Sequence, residues 1–464
     1  MCGFSGVFGD FKKLSFLEKN ILDKTLEHRG ETAFGSFENN KFFLHCRRLA
    51  IRNLSHDSNQ PFLASNSRYI CAYNGEIYNE KILKRKLNEK GIQIETSCDT
   101  EVVIKFLINF GLDKINQIDG MFSIVIFDQK LNKLFLARDR FGVKPLYIKK
   151  IRNSFYFSSE IKSLVSMTQD KSKVSVNNLY NYLTFQNFFK DNTIFEDILL
   201  LEPGYFYEIK HDSSFEVIKK KYWDINLSNK KYKKNNYETF NQFSLEIKKS
   251  INKSLISDEE VGCLLSGGLD SSTIAYYASQ KINQLNTFTV GYDRKYNDYD
   301  IFDERIVAES IANTLGTNHY ETLLNPKNVI NIFDKLVYAV EEPRVGMSYP
   351  NFMSYQLASK FNKVILSGTG GDEILGGYPW RYLISNSLNF NEFKNELFKK
   401  WQKVYKTKEL SKITGLNELS LKKITFEEFS SIFNEIEDID PNKKLNFNES
   451  FDLSLYFEFK TFLH

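Results

Sequence analysis

The second residue of the chain is a cysteine, Cys2. Methionine is commonly removed before a small second residue, and Cys2 would then carry a free α-amine beside its thiol. That amine titrates at around 7.7–8.0. It can take the thiol proton directly or through a water. No separate histidine is then required, in a chain that has six. The plain alternative is a cysteine at a buried strand start. Three further segments carry chemistry of a matching kind. In His45-Cys46-Arg47-Arg48-Leu49-Ala50-Ile51, a strand arginine is suited to clamping a carboxylate bidentately. Asn74-Gly75-Glu76-Ile77-Tyr78-Asn79 offers an amide, a close backbone N–H and a carboxylate at one turn. The first two can form an oxyanion hole for a thioester-forming step. Asp99 precedes a helix, as a cap or as a partner for a substrate ammonium. Each segment also has a plainer reading: a surface ion pair, a hairpin turn, a cap.

A second constellation is Leu264-Leu265-Ser266-Gly267-Gly268-Leu269-Asp270-Ser271-Ser272, between a strand and a helix. It lacks the G-K-[ST] of a Walker A loop and the dinucleotide G-x-G-x-x-G. Its glycines let backbone N–H groups approach an anion. Its serines add donors at a helix N-terminus, where the dipole favours phosphate. Asp270 beside a phosphate calls for a cation, and magnesium is the natural choice. The plainer reading is a glycine-rich turn with a capping serine.

The elements that must position these residues differ along the chain. Residues 3–8, 42–52, 68–73, 122–127, 133–138 and 155–158 read as short β-branched or aromatic strands. Helices follow Asn79 to about Lys90 and start again at Asp99-Thr100-Glu101. High strand density without βαβ rhythm predicts an α+β sheet sandwich over residues 2–208. Residues 209–236, with Lys219-Lys220-Lys221 and Asn229-Lys230-Lys231-Tyr232-Lys233-Lys234, read as a solvated linker rather than a nucleic-acid patch. From 237 to 464 the rhythm changes. Strands at Val261–Leu265, Thr287–Val290 and Lys363–Leu366 alternate with glycine turns and helices. That predicts a parallel, doubly wound α/β sheet with its ligand at the strands' carboxyl ends.

Composition narrows the classes. The 464 residues are 42% hydrophobic and 26% charged, a globular balance. A net charge of +4 argues for neither nucleic acid nor a membrane surface. The five cysteines are scattered, which predicts a reducing compartment, the cytoplasm, with no disulfide framework and no zinc site. No apolar run approaches the roughly 20 residues of a membrane span. No basic n-region marks a secretory signal.

In order along the chain stand Cys2-Gly3, His28-Arg29-Gly30, Arg48-Leu49-Ala50-Ile51, Gln60-Pro61, Asn74-Gly75-Glu76-Ile77-Tyr78-Asn79, the run from Arg138 to Tyr147, and Phe157-Ser158-Ser159-Glu160. Together they resemble the class II glutamine amidotransferase domain of the glutamine-dependent asparagine synthetase family. S-G-G-x-D-S at Ser266–Ser271 resembles the PP-loop of ATP pyrophosphatases, and Ser367-Gly368-Thr369-Gly370-Gly371-Asp372 again matches asparagine synthetase-like domains. The resemblance implies an Ntn-hydrolase αββα sandwich followed by an adenine nucleotide alpha hydrolase-like sheet. It implies that Cys2 attacks the glutamine amide while Asn74 and Gly75 stabilise the oxyanion. Glutamine would be held by Arg48, Leu49, Ala50, Ile51, Arg52, Asn74, Gly75, Glu76 and Asp99. Of these, Arg48 would take its α-carboxylate, and Asp99 with Glu76 its α-ammonium. ATP would meet Leu265, Ser266, Gly267, Gly268, Asp270, Ser271, Val290, Ser367 and Gly368, with Leu265 and Val290 facing the adenosine. Asp270 and Asp372 would share Mg²⁺. Ammonia would travel through an internal channel to a carboxylate activated as an acyl-adenylate. Aspartate is the expected acceptor, giving asparagine, glutamate, AMP and pyrophosphate; a sugar acid is the alternative.

Some positions depart from the family. Glu31-Thr32 replaces Pro-Asp, Thr369 replaces a glutamate and Gly346 an aspartate, while Tyr378-Pro379-Trp380-Arg381-Tyr382 adds an aromatic-basic stretch. The chain stops in the apolar Leu455–His464 stretch, where relatives continue. That predicts a helix face left bare and a chain cut short or split, acting alone only as a glutaminase or ATP binder, or with a separate C-terminal piece. A homodimer is also an expected partner state.

Overall fold

The computed structural model describes residues 2–169, 172–212, 214–227, 237–293, 303–343, 348–382, 388–436 and 440–463. It forms two compact units, Met1–Asn226 with Ile384–His464, and Leu227–Leu383.

The first unit begins with strands β1 (Gly3–Gly9), β2 (Ala33–Glu38), β3 (Phe42–Arg48), β4 (Phe62–Ala64), β5 (Tyr69–Ile77) and β6 (Gly120–Asp128). It continues with β7 (Lys133–Arg138), β8 (Tyr147–Ile151), β9 (Ser154–Ser158), β10 (Leu199–Leu200), β11 (Tyr205–His211) and β12 (Phe215–Lys221). They form two six-stranded sheets, ordered β10-β8-β9-β1-β3-β2 and β12-β11-β7-β6-β5-β4. Side-chain alternation sets their faces. Phe4 and Phe8 of β1, and Phe42, Leu44 and Cys46 of β3, meet Ile70 and Ala72 of β5 and Val125 and Phe127 of β6 between the sheets.

Helices cover the two outer faces. On the first sheet, Leu22 of α1 (Phe16–Leu26) packs on Val7 and Phe43. On the second, Leu83 and Leu87 of α2 (Glu80–Glu89) and Val102, Val103 and Phe106 of α3 (Asp99–Phe110) pack beside Tyr73 and Ile124. Leu164 of α4 (Ile161–Thr168) packs on Tyr147, and α5 (Val176–Phe185) follows. This is the αββα sandwich expected.

Two local expectations change. β3 ends at Arg48 instead of running to 52, because the Arg48 side chain binds the carbonyls of the loop that follows. Residues 209–221, read as linker, belong to the β11–β12 hairpin. Its lysines sit on an edge strand and are paired: Lys219 with Glu202, and Lys221 with Asp224 at 2.9 Å. The second lysine run, 229–234, lies outside the described residues.

The second unit contains α6 (Tyr237–Ser254), β13 (Val261–Leu264), α7 (Leu269–Ser279), β14 (Asn286–Tyr292), α8 (Arg305–Leu315) and β15 (Asn318–Leu324). Then come α9 (Pro326–Val340), α10 (Ser348–Ala358), β16 (Val364–Leu366), α11 (Gly371–Leu375) and α12 (Pro379–Tyr382). The sheet order is β15-β14-β13-β16, with every pair parallel. Strand order reverses at β13 and β16, and such a switch point opens a crevice at the carboxyl ends.

The chain then returns to the first unit with α13 (Phe390–Trp401), α14 (Thr407–Thr414), α15 (Glu418–Ser431) and α16 (Phe447–Phe462). The apolar face of α16, expected to be bare, is covered. Phe457 is fully buried, with its ring 5.6 Å from Phe189, 5.2 Å from Trp401 and 4.6 Å from Phe429. The aromatic periodicity of the last helix is thus a core signal.

Candidate active site

Alternation brings the first constellation together. Cys2 has the parity of Phe4 and Phe8, so it lies on the inter-sheet face of the first sheet. Arg48 follows Phe42, Leu44 and Cys46 on the same face, and the register pairs Gly3 with Arg47. On the opposite sheet, Asn74 and Glu76 continue the inward series of Ile70 and Ala72. Cys2 is half-buried, and its Sγ lies 3.9 Å from the Leu49 carbonyl oxygen. Gly3 keeps the neighbouring backbone free of a side chain, since a Cβ there would stand 2.8 Å from Arg29 Cδ.

Asn74 is the most telling group. Its residue is 1% exposed, yet neither Oδ1 nor Nδ2 has a hydrogen-bond partner. A buried polar group left unpaired costs about 1–3 kcal/mol. Such a group persists where a ligand completes it. Gly75 follows on β5, where a Cβ would lie 2.5 Å from the Met121 carbonyl oxygen. The Gln60 side chain fixes this part of β5, donating to Tyr73 O and accepting from Tyr73 N, both at 2.8 Å.

The charged groups beside it are tightly engaged. Arg48 is buried, and its guanidinium donates to Ser55 O at 2.9 Å, Asn59 Oδ1 at 3.2 Å, Arg52 O at 3.2 Å and Asn53 O at 2.5 Å. A carboxylate clamped by both terminal nitrogens of Arg48 must displace acceptors from this set. Arg52 Nη1 donates to Glu76 Oε1 at 2.6 Å, and Nη2 donates to Glu80. Asp99 is the first residue of α3, behind Cys98 at the cap position, so it is not an N-cap. Its Oδ2 accepts from the Tyr73 hydroxyl at 3.2 Å. Burial and the charge of Asp99 push the Glu76 carboxyl up to about 8, against the pull of Arg52. Burial also raises Asp99. Ala50 N donates to the Thr32 hydroxyl at 3.1 Å, so the departure at position 32 still supplies an oxygen to the turn after β3.

The remaining motifs are scaffolding. Buried Asp139 accepts from the backbone N–H groups of Phe122, Phe141, Val143 and Lys144, at 3.0–3.1 Å. Arg138 donates to Lys144 O at 2.9 Å, Leu201 O at 2.8 Å and Gly142 O at 2.5 Å. Buried Glu160 binds His28 at 3.1 Å and Lys162 at 2.5 Å, and also binds Arg29. Despite its burial, the hydrogen bond to His28 and the charges of Arg29 and Lys162 hold its carboxyl well below the usual range. That explains why His28-Arg29-Gly30 and Ser159-Glu160 occur together.

In the second unit, the turn after β13 is laced by its own serines. Ser266 Oγ and Ser271 Oγ are 2.9 Å apart, and Gly268 N donates to Ser266 Oγ at 3.1 Å. Gly268 caps α7, so its first-turn N–H groups face the end of the strand. The turn after the adjacent β16 packs directly on it. A Cβ at Gly368 would stand 2.8 Å from Ser271 N, and one at Gly377 would stand 1.8 Å from Asp372 Oδ1. Burial, then the charge of Asp372, raises the Asp270 carboxyl. A carboxylate raised by a neighbouring carboxylate, beside the first-turn N–H groups of α7, suits a hard cation bound with phosphate oxygens. Among the described residues, no cluster of three His, Cys, Asp or Glu could hold a metal without such outside ligands. Val290 is half-buried near the end of β14, whereas Leu265 turns its side chain into a core with Ala275, Ala308 and Ala312. Ser367 Oγ lies 2.8 Å from the exposed Thr369 hydroxyl. Gly346 lies outside the described residues.

Sequence reasoning missed Tyr73, Glu80 and Lys144. Tyr73 precedes Asn74, and its hydroxyl could have been matched to a buried acid. Lys144 is 5% exposed, and burial brings its amine down to about 8, with Asp139 and Cys2 pulling the other way. Nothing in its turn motif signals that burial.

No helix among the described residues is long and apolar enough to cross a membrane. Residues 1–223 match the family model of a glutamine amidotransferase domain, and residues 242–464 match that of asparagine synthase. Putative asparagine synthetase (glutamine-hydrolyzing) 2 of Methanocaldococcus jannaschii is 31% identical over 401 residues, 82% of this chain and 76% of its own length. Asparagine synthetase (glutamine-hydrolyzing) 1 of Bacillus subtilis is 31% identical over 383 residues, 82% of this chain and 59% of its own. Asparagine synthetase (glutamine-hydrolyzing) 3 of Bacillus subtilis is 28% identical over 432 residues, 88% of this chain and 69% of its own. With both domains matched in order, the chain belongs to the glutamine-hydrolysing asparagine synthetase family.

Proposed function

We propose that this chain is a glutamine-dependent ligase that transfers ammonia from glutamine to an ATP-activated carboxylate, with aspartate as acceptor and asparagine as product. The observation that carries the first half is Asn74, a fully buried amide with no partner on the inter-sheet face that Cys2 also faces.

The steps follow from the groups present. The Cys2 thiol proton passes to the residue's own α-amine once Met1 is removed, and Sγ bonds to the amide carbon of glutamine. Negative charge grows on the amide oxygen, where Asn74 Nδ2 and Gly75 N–H donate to it. The C–N bond breaks, and the amide nitrogen takes the proton and leaves as ammonia. Water then cleaves the thioester to glutamate and restores the thiol. In the second unit, a carboxylate oxygen of the acceptor bonds to the α-phosphorus of ATP and pyrophosphate leaves. Ammonia then attacks the acyl carbon, AMP departs, and one proton is released. N–H groups at the start of α7, with Ser266 and Ser271, orient the phosphates. Asp270 and Asp372 would hold Mg²⁺, which when bound neutralises phosphate charge. Chelating divalent cations would stop AMP formation and spare ammonia release; undiminished AMP formation would exclude the cation. The five free cysteines support a reducing compartment, the cytoplasm, which cell fractionation tests.

The test supplies the purified chain with glutamine, aspartate and ATP, and measures asparagine, AMP, pyrophosphate and glutamate. One asparagine per AMP supports the reading. AMP formation only with a different carboxylate would remove aspartate from it.

A further inference from the structure

The pocket that should receive the substrate's α-ammonium already contains a cation. Arg52 donates to Glu76 Oε1 at 2.6 Å and to Ile77 O at 3.4 Å, and its other terminal nitrogen binds Glu80. Its side chain is only 14% exposed, and Glu76 and Asp99 are 6% and 4% exposed. Two buried carboxylates with no counter-ion are strongly disfavoured. A substrate ammonium could supply that charge; here a guanidinium supplies it before any substrate arrives.

Most of the negative charge is met without a ligand. Glu80 is also paired with Lys84 at 2.6 Å. Arg52 therefore faces the Glu76 and Asp99 pair with one negative charge left over. Burial, then the charge of Asp99, raises the Glu76 carboxyl against the pull of Arg52. An arriving ammonium meets a resident guanidinium, with Glu76 Oε1 already bound. The loop that carries Arg52 is held by Arg48, whose guanidinium binds four acceptors between residues 52 and 59.

We infer that Arg52 is the resident counter-ion of Glu76 and Asp99, so that this site selects its donor by the side-chain amide and reads the α-ammonium weakly. The donor class then extends to primary amides that lack a free α-amine. This rests on the amidotransferase reading above.

The test compares ammonia release by the full chain from glutamine and from glutaramate, which is glutamine without its α-amino group. A charge-assisted hydrogen bond lost from a site that reads the ammonium lowers kcat/KM by about ten- to a hundredfold or more. The wild-type chain is expected to prefer glutamine by less than about tenfold in kcat/KM. In Arg52→Leu the preference should rise by at least about tenfold, because the two carboxylates are left for the ammonium. A general loss of structure would lower both substrates together and would not move the ratio. A wild-type preference of tenfold or more overturns the inference, as does a ratio unmoved in folded Arg52→Leu; if that variant does not fold, the wild-type ratio alone decides. Ammonia release from glutamine that survives Cys2→Ala, or none in the wild type, would instead defeat the amidotransferase reading and this inference with it.

Discussion

Asp270 lies so close over Gly371 that a Cβ on the glycine would stand 2.1 Å from Asp270 Oδ2. The two residues stand in the first turns of α7 and α11, the helices that follow the neighbouring parallel strands β13 and β16. The glycine is what lets the second turn close over the carboxylate of the first.

Gly371→Ala should therefore push Asp270 out of position. A displacement of about 1 Å in such a site costs on the order of a hundredfold in rate. We expect AMP formation to fall by that amount, with ammonia release from glutamine intact in the same preparation. Equal AMP formation in variant and wild type would mean that Asp270 does not need this placement.

Asn74→Ala should lower the glutaminase kcat by about a hundred- to a thousandfold, the effect of removing one oxyanion donor. The loss should fall on kcat more than on KM, because the oxyanion exists only in the transition state. Stability should hold or rise, since the wild-type amide is buried without partners. A variant with wild-type kcat would remove Asn74 from the chemistry.

Glu435 links the C-terminal segment to the N-terminal sandwich. It lies 2.8 Å from Lys221 and 3.4 Å from Lys460, and accepts from Tyr205 at 3.1 Å. Against its burial, the lysines hold its carboxyl down at about 2, from an ordinary 4.5. A depressed carboxyl stabilises the fold above its unfolded value, and that stability is lost as pH falls from about 4.5 to about 2. Wild type should exceed Glu435→Gln by roughly 1–3 kcal/mol at about pH 6, after allowing for partial exposure, and the gap should close toward about pH 2. Denaturant titrations at both pH values check this; a gap that does not depend on pH would contradict it.

The parts of the fold visible in the sequence were those with local signals. Alternating aromatics marked β1, β6, β7 and β9, and the glycine turns marked the ends of β13 and β16. What stayed hidden depended on long-range partners. β12 looks like a basic linker because Lys219 and Lys220 answer acids at 202 and 208, which lie before the hairpin turn and well outside the lysine run. The end of α16 looks unfinished until Phe189, Trp401 and Phe429 surround Phe457. At the site, residue types indicated which side chains to gather. They could not indicate that Arg48 is spent on the 52–59 loop, or that Arg52 is already bound to Glu76.

The central claim is that ammonia made at Cys2 is the nitrogen that enters the product. Glutamine labelled with ¹⁵N in its amide, given with aspartate and ATP, measures this directly by mass spectrometry of the asparagine. The wild-type chain should yield labelled asparagine even in an excess of unlabelled ammonium, and Cys2→Ala should yield only unlabelled asparagine from that ammonium. Label in the product of Cys2→Ala, or its full dilution by free ammonium in the wild type, would contradict the account.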